Sequence, residues 1–192
     1  MRMFPYTKIT CLRRQGFILM LNVDRRIRMT ETKLTKRIKR SLFDFIRENR
    51  SYGLFVAYEV SILSNWFDHA KGNRSERCDV VSWDGNEHFV CYEIKITYED
   101  FLSGNHISMF GDRNYLVVPS EELAAKIVKS REFDWRFGIL VYDDADDTFR
   151  VYRRTTVQKS IKLADKQLVM EGFAKACARD FNKGLKNKQI SL

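Results

Sequence analysis

The sequence predicts a mixed α/β domain, and three observations lead to this fold class. The chain has 192 residues, a length that suits one compact domain plus tails. Its hydrophobic share of 44% and aromatic share of 13% are enough to build a core, which excludes wholesale disorder. Helix-like and strand-like segments follow one another as helix, three strands, helix, strand, and then a further hairpin and helix.

The first element is an amphipathic helix over Lys33–Asn49. Its apolar residues recur at helical spacing on one face: Leu34, Ile38, Leu42, Phe45 and Ile46. Basic side chains at Lys36, Arg40 and Arg47 point the other way. This basic face is either ordinary solvated surface or a surface that contacts phosphates.

Three segments rich in β-branched and aromatic residues come next, at Leu54–Ile62, Cys78–Trp83 and Phe89–Thr97. A polar loop over residues 71–76 precedes the second of them. The second and third are joined by the sequence Asp84-Gly85-Asn86, which is a strong hairpin turn signal. We therefore expect these two strands to pair in antiparallel fashion.

The rest of the chain predicts a short helix, a strand, a helix, a hairpin and a closing helix. These are, in order, Tyr98–Ser103, Asn114–Val118, Glu121–Lys129, Phe137–Tyr142 with Thr148–Tyr152, and Asp165–Lys183. Ser120 is the expected N-cap of the third helix, because its hydroxyl can accept from an unpaired backbone N–H. The inward residues expected on the closing helix are Leu168, Phe173, Ala176 and Cys177.

Charge is distributed unevenly along the chain. The net charge is +9, yet residues 51–158 carry 12 Lys and Arg against 18 Asp and Glu side chains. Basic ends favour a polyanion such as nucleic acid as a partner. The acidic centre would repel a polyanion unless some of its carboxylates hold a metal cation.

The cellular compartment follows from what the sequence lacks. No apolar run approaches the roughly 20 residues that span a bilayer, and no signal-peptide pattern is present, so we expect no membrane association and a cytoplasmic protein. Cys11, Cys78, Cys91 and Cys177 are scattered without metal-ligand spacing. We expect them to be buried free thiols.

A group of charged residues falls inside segments that otherwise look buried. Glu93 and Lys95 share one side of the third strand, because residues i and i+2 project to the same face. Asp79 lies on the neighbouring strand, and Glu59 lies inside the first strand. Converging carboxylates favour a hard divalent cation, while an adjacent lysine can hold water or offset charge on a phosphate. A solvent-exposed Glu-x-Lys pair of little energetic value is the alternative interpretation.

The sequence Asp79, followed 14 positions later by Glu93-Ile94-Lys95, resembles the PD-(D/E)XK nuclease superfamily. This resemblance implies that Asp79 and Glu93 bind Mg²⁺ or Mn²⁺, that Lys95 supports the attacking water, and that Glu59 completes the catalytic and metal-binding set. Cys78 stands where the superfamily motif has proline.

The wider order of motifs is similar to MmcB-like DNA repair proteins. The shared order runs through Arg77-Cys78-Asp79, Tyr92-Glu93-Ile94-Lys95, Tyr98-Glu99-Asp100-Phe101, the strand Asn114–Pro119, and Gly138-Ile139-Leu140-Val141-Tyr142-Asp143. The similarity implies a restriction-endonuclease-like core of helix, three strands, helix and strand. A Lys-Trp pair usual in that family is missing from the stretch Gly104–Phe110.

Together these features divide the chain into three parts. Residues 1–29 are interpreted as a disordered extension or a mis-assigned start, residues 30–160 as a nuclease-like domain, and residues 161–192 as a C-terminal helix and basic tail. We expect a metal-dependent endonuclease acting on DNA in repair or processing, in the cytoplasm or at the nucleoid and as a homodimer where both strands are cut. Lys36, Arg40, Arg47 and Arg77 are the expected nucleic-acid contacts. The alternative is a non-catalytic module on the same fold that binds nucleic acid or protein.

Overall fold

The computed structural model describes residues 32–49, 52–63, 75–103, 110–158 and 161–187. Within them lie helices α1 (Lys33–Glu48), α2 (Tyr98–Leu102), α3 (Glu121–Val128) and α4 (Leu163–Lys186). The strands are β1 (Phe55–Leu63), β2 (Ser75–Trp83), β3 (Phe89–Ile94), β4 (Arg113–Val118), β5 (Gly138–Asp143) and β6 (Thr148–Arg153). These elements belong to one compact unit, α4 included. The expected extension over residues 1–29 lies outside the described residues.

All six described strands form one sheet, in which their spatial order equals their order in the chain. β1, β2 and β3 pair in antiparallel fashion. β4 is parallel to both β3 and β5, and β6 closes the sheet antiparallel to β5. The predicted mixed α/β class is therefore confirmed.

Helices cover both faces of the sheet. On one face, Ile38, Leu42 and Ile46 of α1 are fully buried against apolar side chains of β2 to β6. On the other face, Val169 and Phe173 of α4 pack on β1, β2 and β3. The same face of β4 and β5 packs with residues of α2 and α3. Among the described helices, none is both long enough and apolar enough to cross a membrane.

The predicted elements are present, and most of their boundaries shift by one to three residues. β2 begins at Ser75, inside the predicted polar loop. β3 ends at Ile94 rather than Thr97, because the Thr97 hydroxyl accepts from the Asp100 N–H and so caps α2. The closing helix starts at Leu163, two residues earlier than predicted.

The expectation that the cysteines are buried is correct for two of the three that the structure describes. Cys78 and Cys91 are buried free thiols. Cys177 is free but exposed, so its assignment to the inward face of the last helix was wrong. Its neighbour Ala176 is buried instead, which places Cys177 at the edge of the apolar stripe. Cys11 lies outside the described residues.

α4 approaches β1 unusually closely. A Cβ atom at Gly172 would lie 2.5 Å from the backbone oxygen of Ser61, nearer than any real Cβ contact. Glycine therefore permits helix and strand backbones to touch at this point. Two helical turns further on, the same helix reaches the middle of β1.

The turn between β5 and β6 is anchored to α1 by a charged network. Arg37 donates from Nε to Asp147 Oδ1 at 2.9 Å and from Nη2 to Asp147 Oδ2 at 3.1 Å. The hydroxyls of Ser41 and Tyr142 also donate to Asp147. These hydrogen bonds, that of Arg37 first, lower the pKa of Asp147 to about 2.

This network predicts a loss of stability in acid. Because the folded-state pKa of Asp147 lies below its ordinary value of 3.8, its contribution is present above pH 4 and is lost as the pH falls toward about 2. We expect Asp147→Asn to lower the free energy of unfolding at neutral pH and to reduce its dependence on pH below pH 4. Urea unfolding between pH 2 and 7 measures both effects. The exposed neighbour Asp146 provides the control, Asp146→Asn. Equal acid profiles for the two variants would contradict the prediction.

Candidate active site

The register of the sheet places the three predicted carboxylates in a row. Glu59 of β1 lies opposite Asp79 of β2, between the pairs Tyr58–Val80 and Val60–Cys78. Asp79 in turn lies one step beyond the pair Val80–Tyr92, which is the level of Glu93 on β3. Three neighbouring strands thus bring these residues side by side, at the middle of β1 and β2 and near the end of β3.

The Asp79 carboxylate is fixed by the backbone of the next strand. Its Oδ2 accepts from the N–H of Ile94 at 2.9 Å. Burial raises the pKa of Asp79, the Glu59 charge adds to this, and the Ile94 N–H and the Lys39 ammonium oppose it. The carboxylate is therefore rigid and lies in a strongly charged, poorly solvated place.

Glu93 and Lys95 form a buried ion pair. Lys95 Nζ lies 3.3 Å from Glu93 Oε1 and 4.0 Å from Asp100 Oδ1. Lys95 is 2% exposed and Glu93 8% exposed. The prediction that these two side chains lie side by side is confirmed, although Lys95 follows the last residue of β3. Its N–H still donates to Val117 of β4, which continues the strand's direction.

The second oxygen of Glu93 is the unusual feature of the site. Glu93 Oε2 is buried and has no hydrogen-bond partner among the described residues. Burial first, and then the charge of Asp79, raises the pKa of Glu93 to about 8, against the opposing effect of Lys95. A buried carboxylate oxygen without a donor is costly, so this atom is suited to a bound cation or a proton.

A second buried lysine, which the sequence analysis did not identify, belongs to the same site. Lys39 of α1 is 8% exposed and donates to Glu59 Oε1, and its Nζ lies 3.9 Å from Asp79 Oδ1. Its spacing offered a signal, because Lys39 precedes the buried Leu42 and Ile46 by three and seven positions. A lysine on the apolar stripe of a helix must lie over something that accepts its charge.

Glu59 is held by cations on both of its oxygens. Oε1 accepts from Lys39, and Oε2 lies 2.8 Å from Nε of Arg77. Its backbone has a φ of +50°, a conformation that non-glycine residues rarely adopt. Strained backbone of this kind persists only where the surroundings enforce it.

The strands change the facing of their side chains at this point. Tyr58 and Val80 pack on the α1 side, whereas Val60 and Cys78, two positions along, pack with α4. Regular strands keep residues i and i+2 on one face. The sheet is therefore distorted locally at the level of Glu59 and Asp79, and both side chains are partly exposed there.

Arg179 of α4 supports this distortion. Its guanidinium donates to the carbonyl oxygens of Tyr58 at 2.7 Å and of Glu59 at 3.1 Å. A carbonyl pair turned out of the strand ladder would otherwise lack partners. Sequence analysis missed Arg179, since nothing local relates it to a strand 120 positions earlier.

We expect Arg179→Met to lower the free energy of unfolding by about 1–2 kcal/mol, since the charge-assisted hydrogen bonds to the carbonyls of Tyr58 and Glu59 are lost together with the ion pair to Asp180. Arg179→Lys should recover part of the loss. Lys175→Met, on the same helix and paired only with exposed Glu171, is the control and should cost less. Urea unfolding at pH 7 measures all three variants. Equal midpoints for Arg179→Met and Lys175→Met would refute a supporting role.

The four residues predicted to contact nucleic acid differ in their neighbours. Lys36 and Arg40 are exposed on α1. The Arg47 guanidinium carbon lies 5.3 Å from the centre of the Phe43 ring. Arg77 is exposed too, but it pairs with Glu59 and so lies at the candidate site itself.

The fit of the site to a divalent metal depends on Asp79 and Glu93. Among the described residues, no group of three or more His, Cys, Asp and Glu side chains is arranged to hold a metal ion. Mg²⁺, however, commonly binds through one or two carboxylates and completes its shell with water and phosphate oxygens. Asp79 with the unpartnered Glu93 Oε2 matches that mode, and both donors are the hard oxygens that Mg²⁺ and Mn²⁺ prefer.

Comparison with known proteins gives information on the fold alone. No known family model matches the chain, and no curated protein matches it. A solved structure, the SPO1766 protein of unknown function from Silicibacter pomeroyi, is similar with a TM-score of 0.56 and 18% sequence identity. The similarity covers 82% of this chain and 94% of that chain. The mixed α/β fold thus occurs in a second protein.

Proposed function

We propose that this protein is a metal-dependent nuclease that hydrolyses phosphodiester bonds in DNA. The observation that carries the proposal is the buried, unpartnered Glu93 Oε2. The other oxygen of this carboxylate contacts Lys95, and the charge of Asp79 acts on the same group. Two acids and one lysine around such an atom form the set that metal-assisted hydrolysis requires.

The arrangement of elements supports a restriction-endonuclease-like core. α1 is followed by the antiparallel strands β1, β2 and β3, then by α2 and by β4 parallel to β3. This is compatible with the core that the resemblance to PD-(D/E)XK nucleases implies. The hairpin of β5 and β6 and the helix α4 would be additions to it.

Each residue of the site has a role in this proposal. Asp79 and Glu93 would hold Mg²⁺ or Mn²⁺, which supplies Lewis-acid polarisation of the scissile phosphate. Lys95, held 3.3 Å from Glu93, would orient the attacking water and offset the negative charge that develops on the phosphate oxygens. The Ile94 N–H keeps Asp79 in place.

DNA would contact exposed basic side chains, of which Arg77 lies at the site itself. Lys36, Arg40 and Arg47 on α1 would contact flanking phosphates. Such contacts weaken with salt because each neutralised phosphate releases a counterion. The proposal includes a role in DNA repair, which the resemblance to MmcB-like proteins suggests, and a homodimer if both strands are cut.

The test is a cleavage assay on supercoiled plasmid and end-labelled oligonucleotides with Mg²⁺ or Mn²⁺. We expect cleavage that requires the metal and is lost in Asp79→Asn. DNA binding without cleavage by the parent protein would favour the alternative, a non-catalytic binding module on the same fold. A protein that neither binds nor cleaves DNA would refute both the nuclease and the nucleic-acid-binding module.

A further inference from the structure

The three carboxylates of the site are not equivalent. Both oxygens of Glu59 contact cations, Oε1 the Lys39 ammonium and Oε2 the Arg77 guanidinium. Glu93 Oε2, in contrast, has no partner among the described residues. The Glu59 carboxylate therefore has a cation on each oxygen, whereas the Glu93 carboxylate has Lys95 on Oε1 alone.

Lys39 stands where a second cation would otherwise be needed. Its Nζ contacts Glu59 and lies 3.9 Å from Asp79 Oδ1, so one ammonium bridges the two carboxylates. Its side chain is 10% exposed, compared with 32% for Glu59 and 20% for Asp79. A phosphate that approaches Asp79 from solvent would thus meet the Lys39 charge at the base of the site.

We propose that the site takes a single divalent cation, held by Asp79 and Glu93, and that Lys39 supplies the second positive charge to the bound phosphodiester. Glu59 is then a positioning residue that holds Lys39 and Arg77, and it is not a metal ligand. This inference rests on the proposed nuclease function and changes the role that the family resemblance gives to Glu59.

The backbone geometry agrees with this division of roles. Glu59 has a φ of +50°, and Arg179 donates to the carbonyls of Tyr58 and Glu59 at the same point. In this backbone conformation the Glu59 side chain contacts Lys39 of α1. The arrangement stabilises a fixed ammonium without requiring any bound ion.

A titration with Mn²⁺ in the absence of DNA tests directly whether the site holds a single cation. The electron paramagnetic resonance signal of the free ion measures the binding. We expect one ion per chain in the parent protein, a dissociation constant within about threefold of it in Glu59→Gln, and loss of binding in Asp79→Asn. Lys39→Met should bind Mn²⁺ about 3- to 10-fold more tightly, since a positive charge near Asp79 is removed. Two ions per chain, or a loss of binding in Glu59→Gln as severe as in Asp79→Asn, would overturn the inference.

Cleavage kinetics test the role of Lys39. Lys39→Met should lower kcat/KM by about 100-fold or more, and Lys39→Arg should restore part of it. Lys33→Met, an exposed substitution at the start of the same helix, should leave cleavage unchanged. Thermal melting establishes that each variant is folded. Glu59→Gln, which keeps the shape of the side chain, is a second test of how Lys39 is positioned. Full cleavage by folded Lys39→Met would overturn the inference.

The two proposals fail in different ways. If the parent protein binds no Mn²⁺ and cleaves no DNA, the nuclease function itself is wrong. If the parent binds Mn²⁺ and cleaves, but Glu59→Gln loses the metal or Lys39→Met keeps full activity, only the single-cation inference is wrong.

Discussion

Replacing Lys95 with methionine should lower metal-dependent cleavage by about 10²- to 10⁴-fold, the range expected for loss of a group that assists proton transfer or charge development. Lys95 is 2% exposed and lies 3.3 Å from Glu93, so no solvent cation can take its place. Methionine keeps most of the volume of the side chain and removes only its charge. Initial rates on labelled DNA at saturating Mg²⁺ measure the effect.

The control for this experiment must separate chemistry from folding. Lys129→Met removes the same charge from an exposed position and should cleave at the parent rate. Because one partner of a buried pair is removed, Lys95→Met is also expected to be less stable. The double variant Lys95→Met with Glu93→Gln removes both charges and should regain stability but not activity. A folded Lys95→Met protein with the parent rate would exclude Lys95 from the reaction.

Glu93 should make the metal-free protein less stable as the pH rises. The pKa of Glu93 is about 8 in the folded protein and near 4.5 when the chain is unfolded. A group whose pKa is raised by folding contributes its full stability below the unfolded value, and that stability is lost as the pH rises through the folded value. Between pH 4.5 and 8 we expect a loss on the order of 2–4 kcal/mol in the free energy of unfolding.

Urea unfolding in the presence of a chelator, at intervals from pH 4.5 to 8.5, measures this loss. Glu93→Gln has no carboxyl to titrate, so its stability should be nearly constant over that range. Glu132→Gln changes an exposed glutamate and should keep the slope of the parent protein. If the parent protein has the flat profile expected for Glu93→Gln, ionisation of Glu93 does not lower the free energy of unfolding, and the prediction is wrong.

The prediction of the candidate site from the sequence depended on local patterns. The turn signal Asp84-Gly85-Asn86 indicated that β2 and β3 pair in antiparallel fashion. The strand ends predicted on either side of it, Trp83 and Phe89, do pair in the sheet, and this register puts Asp79 at the level of Glu93. The spacing of Glu93 and Lys95 on one strand predicted their contact, which the 3.3 Å separation confirms.

Other parts of the site could not be predicted because they depend on packing between distant elements. Periodicity identifies the apolar stripe of α1, but it does not tell which part of the sheet lies under Lys39. The net charge of a sequence segment does not predict this contact either. Lys39 belongs to a basic part of the sequence, but its ammonium lies beside the carboxylates of Glu59 and Asp79. The φ of +50° at Glu59 has no sequence signature, because glycine or asparagine would be the usual residue there.

The contact between α4 and β1 has a consequence for the order of folding. Arg179 and Glu59 are 120 positions apart, and α4 emerges from the ribosome after all six strands. A nascent chain can pair its sheet strand by strand, since the spatial order of the strands equals their chain order. The distorted segment at Glu59 acquires its arginine only after α4 docks. The arrangement around Glu59 should therefore form last during synthesis, and a chain stopped before Arg179 would have a sheet that lacks these two hydrogen bonds.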